Sequence, residues 1–154
     1  MNKYLQITVL KFLSLVIVFM IAGCGKEEQN PDIPSVYINI TIDPSSTFYQ
    51  ELNTVGGWIY LTSEPPSRGL IVYRLAIDEF IAYDRYPPNN AGKCCTAQGV
   101  CTRLLVDDYF PFVQDTCTNT SYLILDGSKF EGEGRYPLIR YNTVYNGQML
   151  RIFN

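Results

Sequence analysis

The chain consists of short runs of β-branched and aromatic residues separated by turn-forming residues. This pattern limits the chain to folds made of short strands joined by turns. In residues 36–42 apolar and polar side chains alternate strictly, which puts the four apolar side chains on one face of a strand. Residues 138–145 and 148–153 flank Asn146-Gly147, a dipeptide that strongly favours a two-residue hairpin turn. No stretch after residue 35 keeps a helical period. We therefore expect an all-β domain.

The same composition predicts the remaining strands between these two ends. They fall at residues 48–52, 58–62, 70–75, 80–84, 103–106, 110–114 and 122–125, which gives about eight to ten short antiparallel strands. Residues 87–102 contain two prolines, two glycines, two asparagines and three cysteines, so we expect them to form a loop.

The amino-terminal segment has the pattern of an export signal. Lys3 and Lys11 precede an apolar run at residues 12–22, which is typical of a signal-peptide core and too short to span a bilayer. The following Ile21-Ala22-Gly23-Cys24 resembles a bacterial lipobox, which implies cleavage before Cys24 and acylation of that cysteine with palmitate-like chains. The alternative is a plain secretory signal in which Cys24 has no role.

These features divide the chain into a signal peptide (residues 1–23), a flexible lipidated tether (residues 24–34) and one β domain (residues 35–154). Lys26-Glu27-Glu28 resembles the signal that sends Bacteroidetes lipoproteins to the outer face of the outer membrane. We therefore expect a lipid-anchored outer-membrane protein that is exposed at the cell surface. The alternative for this tripeptide is an ordinary charged linker.

Charge and composition exclude several classes of function. Without the signal peptide, 131 residues remain, and they carry ten basic and fifteen acidic side chains, a net charge of −5. This balance argues against nucleic acid and against a basic lipid-binding patch. The chain has no histidine, which excludes Ser-His-Asp triads and any site with histidine ligands. We expect a protein that is not an enzyme.

The four cysteines after Cys24 predict cross-links. An even number in an exported protein favours two disulfides among Cys94, Cys95, Cys101 and Cys117. Adjacent cysteines rarely bond each other, so Cys94 and Cys95 should reach separately to the other two, and which pairs with which stays open. The alternative is a four-thiolate zinc site, although the spacing lacks the paired C-x-x-C knuckles of such sites.

Three stretches together resemble a Rieske domain over roughly residues 55–153. Gly69-Leu70-Ile71-Val72-Tyr73-Arg74 and Phe80-Ile81-Ala82-Tyr83-Asp84-Arg85 resemble the strand pair that enters the first cluster loop. Asp126-Gly127-Ser128-Lys129-Phe130-Glu131-Gly132 resembles the strand and turn that leave the second, and Tyr136-Pro137-Leu138-Ile139-Arg140-Tyr141 resembles the segment before the last hairpin. The resemblance implies a β-sandwich or barrel with two loops at one tip.

The ligands of the family's two-iron, two-sulfur cluster are missing. The resemblance places Pro87 and Asp115 at the two cysteine positions, and Asn89 and Thr118 at the two histidine positions. A Rieske centre needs two thiolates and two imidazoles, and proline offers no donor. The resemblance therefore implies the scaffold without its cluster, and we expect no cofactor and no metal. The alternative is an electron-transfer protein with a cluster on Cys94 or Cys95, Cys101 and Cys117.

Aromatic residues beside the two loops could form an exposed tip. The candidates are Tyr86, Tyr109, Phe110 and Phe112, which would bind an envelope protein or a glycan. Packing in the core is the alternative for each of them. We therefore predict a binding or structural lipoprotein. An unrelated immunoglobulin-like adhesion domain on a lipid anchor is the third candidate, and it would lack the two-loop tip.

Overall fold

The computed structural model describes residues 30–89 and 91–154. The predicted signal peptide, the predicted lipidation site Cys24 and residues 24–29 of the predicted tether lie outside the described residues. The described elements are β1 (Asn39–Ile42), a first 3₁₀ helix (Thr47–Asn53), β2 (Trp58–Leu61), β3 (Leu70–Arg74), β4 (Phe80–Asp84), a second 3₁₀ helix (Ala91–Cys94), β5 (Leu105–Val106), β6 (Phe112–Asp115), β7 (Thr120–Leu123), β8 (Lys129–Glu131), β9 (Arg140–Tyr145) and β10 (Leu150–Phe153).

The strands form two antiparallel sheets, which confirms the all-β prediction. The larger sheet has the order β1-β10-β9-β4-β3-β2, and the smaller has the order β5-β6-β7-β8. Within the larger sheet, β4 and β9 meet through Ala82 opposite Tyr141 and Tyr83 opposite Arg140. A hairpin joins β9 to β10 as predicted, but Tyr145 pairs with Leu150, so four residues, 146–149, separate the strands and the predicted two-residue turn at Asn146-Gly147 is wrong.

Strands β3 and β4 are buried on both faces. On β3, Val72 faces a first hydrophobic core that the larger sheet shares with Leu52 of the first 3₁₀ helix. Its neighbour Tyr73 faces a second core, which the small sheet completes with Val113 and Tyr122. Because both faces are covered, these strands are continuously apolar and do not alternate. Each fully buried large apolar side chain contributes about 1.5–3 kcal/mol.

The predicted strand at residues 48–52 is wrong, because this segment is part of the first 3₁₀ helix. Leu52 is fully buried and Tyr49 packs against the same core, whereas Phe48 is 87 % exposed. The helix is kinked at Tyr49, whose backbone is not helical (φ −128°, ψ 33°), whereas a strand would have put Phe48 on the buried face of Leu52. The other predicted strands are present with ends shifted by a few residues. Strand β8 was not predicted, since all its residues are exposed.

The described part of the predicted tether lies against the domain. The side chain of Asn30 donates a hydrogen bond to the carbonyl oxygen of Pro88 at 2.9 Å. Ile33 and Pro34 line a cavity together with Tyr141 of β9. Among residues 30–89 and 91–154, no helix has the length and apolarity needed to cross a membrane.

Candidate functional site

Two loops meet at one place in the structure, and a disulfide joins them. The first loop follows β4 and covers residues 85–104, and the second covers residues 116–119 between β6 and β7. Cys94 of the first loop is bonded to Cys117 of the second, with their Cα atoms 5.6 Å apart. Cys95 is bonded to Cys101 within the first loop. The predicted disulfides are present, and the two adjacent cysteines have separate partners.

The two disulfides differ in what they hold. Cys94–Cys117 spans 23 residues of sequence and ties the larger sheet to the small sheet, whereas Cys95–Cys101 spans only 6 and closes a hairpin. In the chain-entropy model these loop lengths correspond to about 3.4 and about 2.2 kcal/mol of stability. The first disulfide is therefore the main covalent support of the two-loop region.

Asn89, which the resemblance matched to a histidine ligand, is a buried hydrogen-bonding hub. Its amide nitrogen donates to the Tyr122 hydroxyl at 2.8 Å and to the Tyr136 carbonyl at 3.2 Å. Its carbonyl oxygen accepts from the backbone nitrogens of Arg135 and Tyr136, at 2.9 and 3.0 Å. Burial raises the pKa of Tyr122 above its ordinary value, so this hydroxyl stays protonated and can accept from Asn89.

Asp115 and Thr118, which the resemblance matched to a cysteine and a histidine ligand, bond each other. Asp115 is fully buried. One of its carboxylate oxygens accepts from the Thr118 hydroxyl at 2.6 Å, and the other accepts from the backbone nitrogen of Cys117 at 3.0 Å. The Asp115 side chain thus fixes the backbone of the second loop, where Cys117 carries the cross-link.

The residues at the four matched positions do not fit a Rieske cluster. Pro87 has no donor atom, and Asn89, Asp115 and Thr118 offer amide, carboxylate and hydroxyl groups in place of thiolate and imidazole. Ligand atoms of Cys94, Asp115 and Cys117 lie within 4.8 Å of one another. Two of those atoms are sulfurs already bonded to each other, so this grouping reflects the disulfide and is not by itself a sign of a metal.

A polar cleft of about 620 Å³ opens beside the two loops. We call it the Asn89 cleft; Asn89, Thr118, Glu133 and Arg135 are among the residues that line it. The connection between β8 and β9 forms its far wall, where a Cβ atom on Gly134 would lie 2.7 Å from the amide nitrogen of Asn89. Sequence reasoning missed the cleft, although the spacing of the two glycines in Gly132-Glu133-Gly134 was its available signal.

The predicted tip aromatics do not lie together. Tyr86 is in the first loop, where the guanidinium of Arg68 stacks over its ring at 4.2 Å. Tyr109 and Phe110 lie in the connection between β5 and β6. That connection is at the opposite end of β6 from Cys117, since β6 runs from one to the other. The four candidates therefore do not surround the cross-linked loops as a single tip.

An exposed aromatic surface nevertheless exists on the small sheet. Tyr109 is 80 % exposed, Phe110 47 % and Phe130 57 %. Phe112 is half-buried, and its ring packs against that of Phe130 at 4.8 Å between centroids. The ring of Phe110 packs instead against that of the buried Tyr73, with 5.8 Å between centroids. We call Phe112 and Phe130 the small-sheet aromatic surface. Phe130 was missed because strand β8 itself was not predicted.

A buried carboxylate at the end of β4 was also missed. Asp84 is 1 % exposed and accepts hydrogen bonds from the backbone nitrogens of Arg68 and Tyr86, at 3.2 and 2.7 Å. It also accepts from the hydroxyl of Tyr141 at 2.7 Å. Burial, and then the charge of Asp84, raise the pKa of Tyr141 above its ordinary value. Asp84 lines a cavity of about 220 Å³ under residues 33–36.

Fold and site together define a class of protein, an all-β domain whose two loops are joined by a disulfide beside a polar cleft. No family model matches this chain. A search of the curated proteins finds no match either.

Proposed function

We propose that this chain is a lipid-anchored outer-membrane protein whose Rieske-like β domain carries no iron–sulfur cluster and serves as a binding or structural module. One observation supports this most directly. Three of the four matched residues, Asn89, Asp115 and Thr118, hold the two loops by hydrogen bonds, and the disulfide Cys94–Cys117 joins the loops beside them. A cluster would pin the same loops through metal–ligand bonds, so the disulfide takes over that structural role.

The closed disulfides favour this function over the rival electron-transfer function. A cluster on the remaining cysteines needs thiolates, and a sulfur in a disulfide is not a thiolate. Both pairs, Cys94–Cys117 and Cys95–Cys101, are closed. An exported protein meets an oxidising environment, which favours that state.

Metal analysis separates the two functions. We would purify the full chain from membranes without exposure to air and measure iron, acid-labile sulfide and visible absorption. We expect a colourless protein with less than about one iron atom per ten chains and no free thiol among residues 94–117 after denaturation. Stoichiometric iron with sulfide, together with four reactive thiols, would establish the electron-transfer function and refute ours.

The lipid anchor is tested separately by a Cys24→Ala substitution. We expect the wild-type chain to incorporate labelled palmitate and to sediment with outer membranes. The Cys24→Ala chain should incorporate no label. A matched Cys24-containing control, Lys26→Ala, should still be lipidated, since the thiol is unchanged. Incorporation of label into the Cys24→Ala chain would contradict the anchor.

The small-sheet aromatic surface is the surface that we expect to bind a partner. Exposed aromatic side chains in a cluster are enriched at interfaces and at glycan-binding sites. Phe130 and Val144 both lie on strands and are matched in exposure, at 57 % and 55 %, but only Phe130 belongs to this surface. With a photo-crosslinking p-benzoylphenylalanine at each position in living cells, we expect a discrete adduct at residue 130 only. Equal adducts at both positions, or none, would contradict a partner at this surface.

A further inference from the structure

We propose that Cys95–Cys101 is a thiol-reactive site: a small-molecule thiol such as glutathione or cysteine opens it by attack at Cys101, while Cys94–Cys117 stays closed. The site does not depend on whether the chain is lipidated, but it rests on the closed disulfides of the proposed function. Three observations distinguish this disulfide from its neighbour, namely its exposure, the cation that contacts it and the charge beside the other bond.

Cys95–Cys101 closes a small exposed hairpin. All residues from 96 to 100 are exposed, and the two cysteines are half-buried. The hairpin is held by backbone hydrogen bonds between Thr96 and Val100 at 2.8 Å and between Gly99 and Thr96 at 2.9 Å. An incoming thiol can therefore reach the bond from solvent, and the hairpin keeps its backbone bonds when the sulfurs separate.

A guanidinium group contacts one sulfur of this bond. A terminal nitrogen of Arg68 lies 3.5 Å from the Sγ atom of Cys95. The same guanidinium donates to the Thr102 carbonyl at 2.6 Å and stacks over the Tyr86 ring at 4.2 Å, so it is fixed in place. A cation against a sulfur favours its thiolate form. Cys95 is therefore the better leaving group, and attack falls on Cys101.

The other disulfide has the opposite surroundings. Cys94 is only 5 % exposed. The carboxylate of Asp115 lies within 4.8 Å of the sulfurs of Cys94 and Cys117. A negative charge at that distance disfavours both an incoming thiolate and a departing one. The charges around the two disulfides therefore favour thiol attack on Cys95–Cys101 over attack on Cys94–Cys117.

The reaction balances with two molecules of thiol. The thiolate sulfur of the first forms a bond to Cys101 Sγ, the Cys95–Cys101 bond breaks, and its electron pair leaves on Cys95 as a thiolate. A second thiol then attacks the small-molecule sulfur of the mixed disulfide. The bond from that sulfur to Cys101 breaks, and Cys101 is released as a thiol. The small-molecule disulfide is the oxidised product, and the protein has gained two electrons.

Trapping the adduct tests the direction of attack. We would incubate the purified full chain with glutathione at pH 7, quench with acid, alkylate free thiols with N-ethylmaleimide and map the products by mass spectrometry. We expect glutathione on Cys101 and alkylation on Cys95 before either appears on Cys94 or Cys117. Glutathione found first on Cys95, or first opening of Cys94–Cys117, would overturn the proposal.

A matched pair of variants tests the role of the cation. Arg68→Gln removes the guanidinium at Cys95. Arg85→Gln is the control, because Arg85 also stacks on a tyrosine, Tyr60 at 3.8 Å, and donates to a backbone carbonyl. We expect adduct formation to slow roughly threefold or more in Arg68→Gln and to be unchanged in Arg85→Gln. Equal rates in Arg68→Gln and wild type, or equal slowing in both variants, would contradict the assignment.

Discussion

The amide nitrogen of Asn89 lies 2.8 Å from the hydroxyl of Tyr122, and this hydrogen bond joins the first loop to strand β7. The carbonyl oxygen of the same side chain accepts from two backbone nitrogens between β8 and β9. One polar side chain therefore links three segments that are far apart in sequence. The first loop, β7 and the β8–β9 connection should therefore unfold together, because they share Asn89 as a hydrogen-bonding partner.

Asn89→Ala should lower the free energy of unfolding by about 2–4 kcal/mol, because it leaves a buried hydroxyl and two backbone N–H groups without their partner. Urea unfolding followed by tyrosine fluorescence measures this loss. Asn142→Ala is the control, since Asn142 is an exposed residue of β9, and it should stay within about 0.5 kcal/mol of wild type. If Asn89→Ala lowers the free energy of unfolding as little as Asn142→Ala does, the hydrogen bonds of Asn89 contribute little to stability.

Removing each disulfide in turn should give unequal losses. Cys94→Ala with Cys117→Ala should lower the free energy of unfolding by about 3.4 kcal/mol, and Cys95→Ala with Cys101→Ala by about 2.2 kcal/mol, because the longer loop gains more entropy on unfolding. Denaturant unfolding of the two double variants, with the wild type in both redox states, checks the order. The reverse order would contradict the assignment of the main support to Cys94–Cys117.

Two glycines with the same backbone conformation should respond differently to alanine. Gly132 and Gly147 have φ angles of +98° and +93°, so each substitution strains the backbone by about 1–2 kcal/mol. At Gly132 a Cβ atom would also lie 2.4 Å from the carbonyl oxygen of Asn119, whereas nothing lies within 4 Å at Gly147. Thermal unfolding should therefore show a clearly larger loss for Gly132→Ala, and equal losses would show that the second loop can move aside.

Stability should fall in alkali partly through Tyr141, whose pKa burial raises. Below about pH 10 this hydroxyl is protonated in both states, and its stabilising contribution is complete. Above that value the unfolded chain releases the proton first, so stability falls by about 1.4 kcal/mol per pH unit until the folded pKa is reached.

Tyr141→Phe should therefore make the alkaline decline shallower while costing about 1–2 kcal/mol near pH 8, since Asp84 loses a donor. Unfolding free energies measured between about pH 8 and 11.5 test both effects. Tyr37→Phe, at a residue that is 79 % exposed, is the control and should follow the wild-type curve. Parallel curves for Tyr141→Phe and wild type would contradict the prediction.

Alternation and turn chemistry were enough to predict most of the larger sheet. The hairpin between β9 and β10 is an example, because Asn-Gly between two β-rich runs favours a reversal of the chain. Its register was not predictable in this way, since Tyr145 pairs with Leu150 and not with Gln148. The segment at residues 48–52 failed, since Leu52 is its only fully buried residue and a single buried position specifies no period. Strand β8 failed for a related reason, as its residues are all exposed and only pairing with β7 defines it.

The candidate site was predictable in chemistry but not in arrangement. Four cysteines in an exported chain pointed to disulfides, yet which of the adjacent pair reaches Cys117 depends on how the first loop folds over the second. Asn89 was singled out only as a position where a ligand is missing. Its role as a hub needs Tyr122 and Arg135, which lie 33 and 46 residues away, so local sequence carries no sign of it.

If Cys24 carries the proposed lipid anchor, the contact between Asn30 and Pro88 limits how far the domain can stand from the bilayer. An extended chain covers at most about 3.5 Å per residue, so the stretch from Cys24 to Asn30 reaches about 21 Å. With acyl chains on Cys24, the Asn89 cleft, to which Asn30 also contributes, would be confined to the crowded layer just above the headgroups. Molecules that reach it would then come from the membrane's own surface coat sooner than from the surrounding medium.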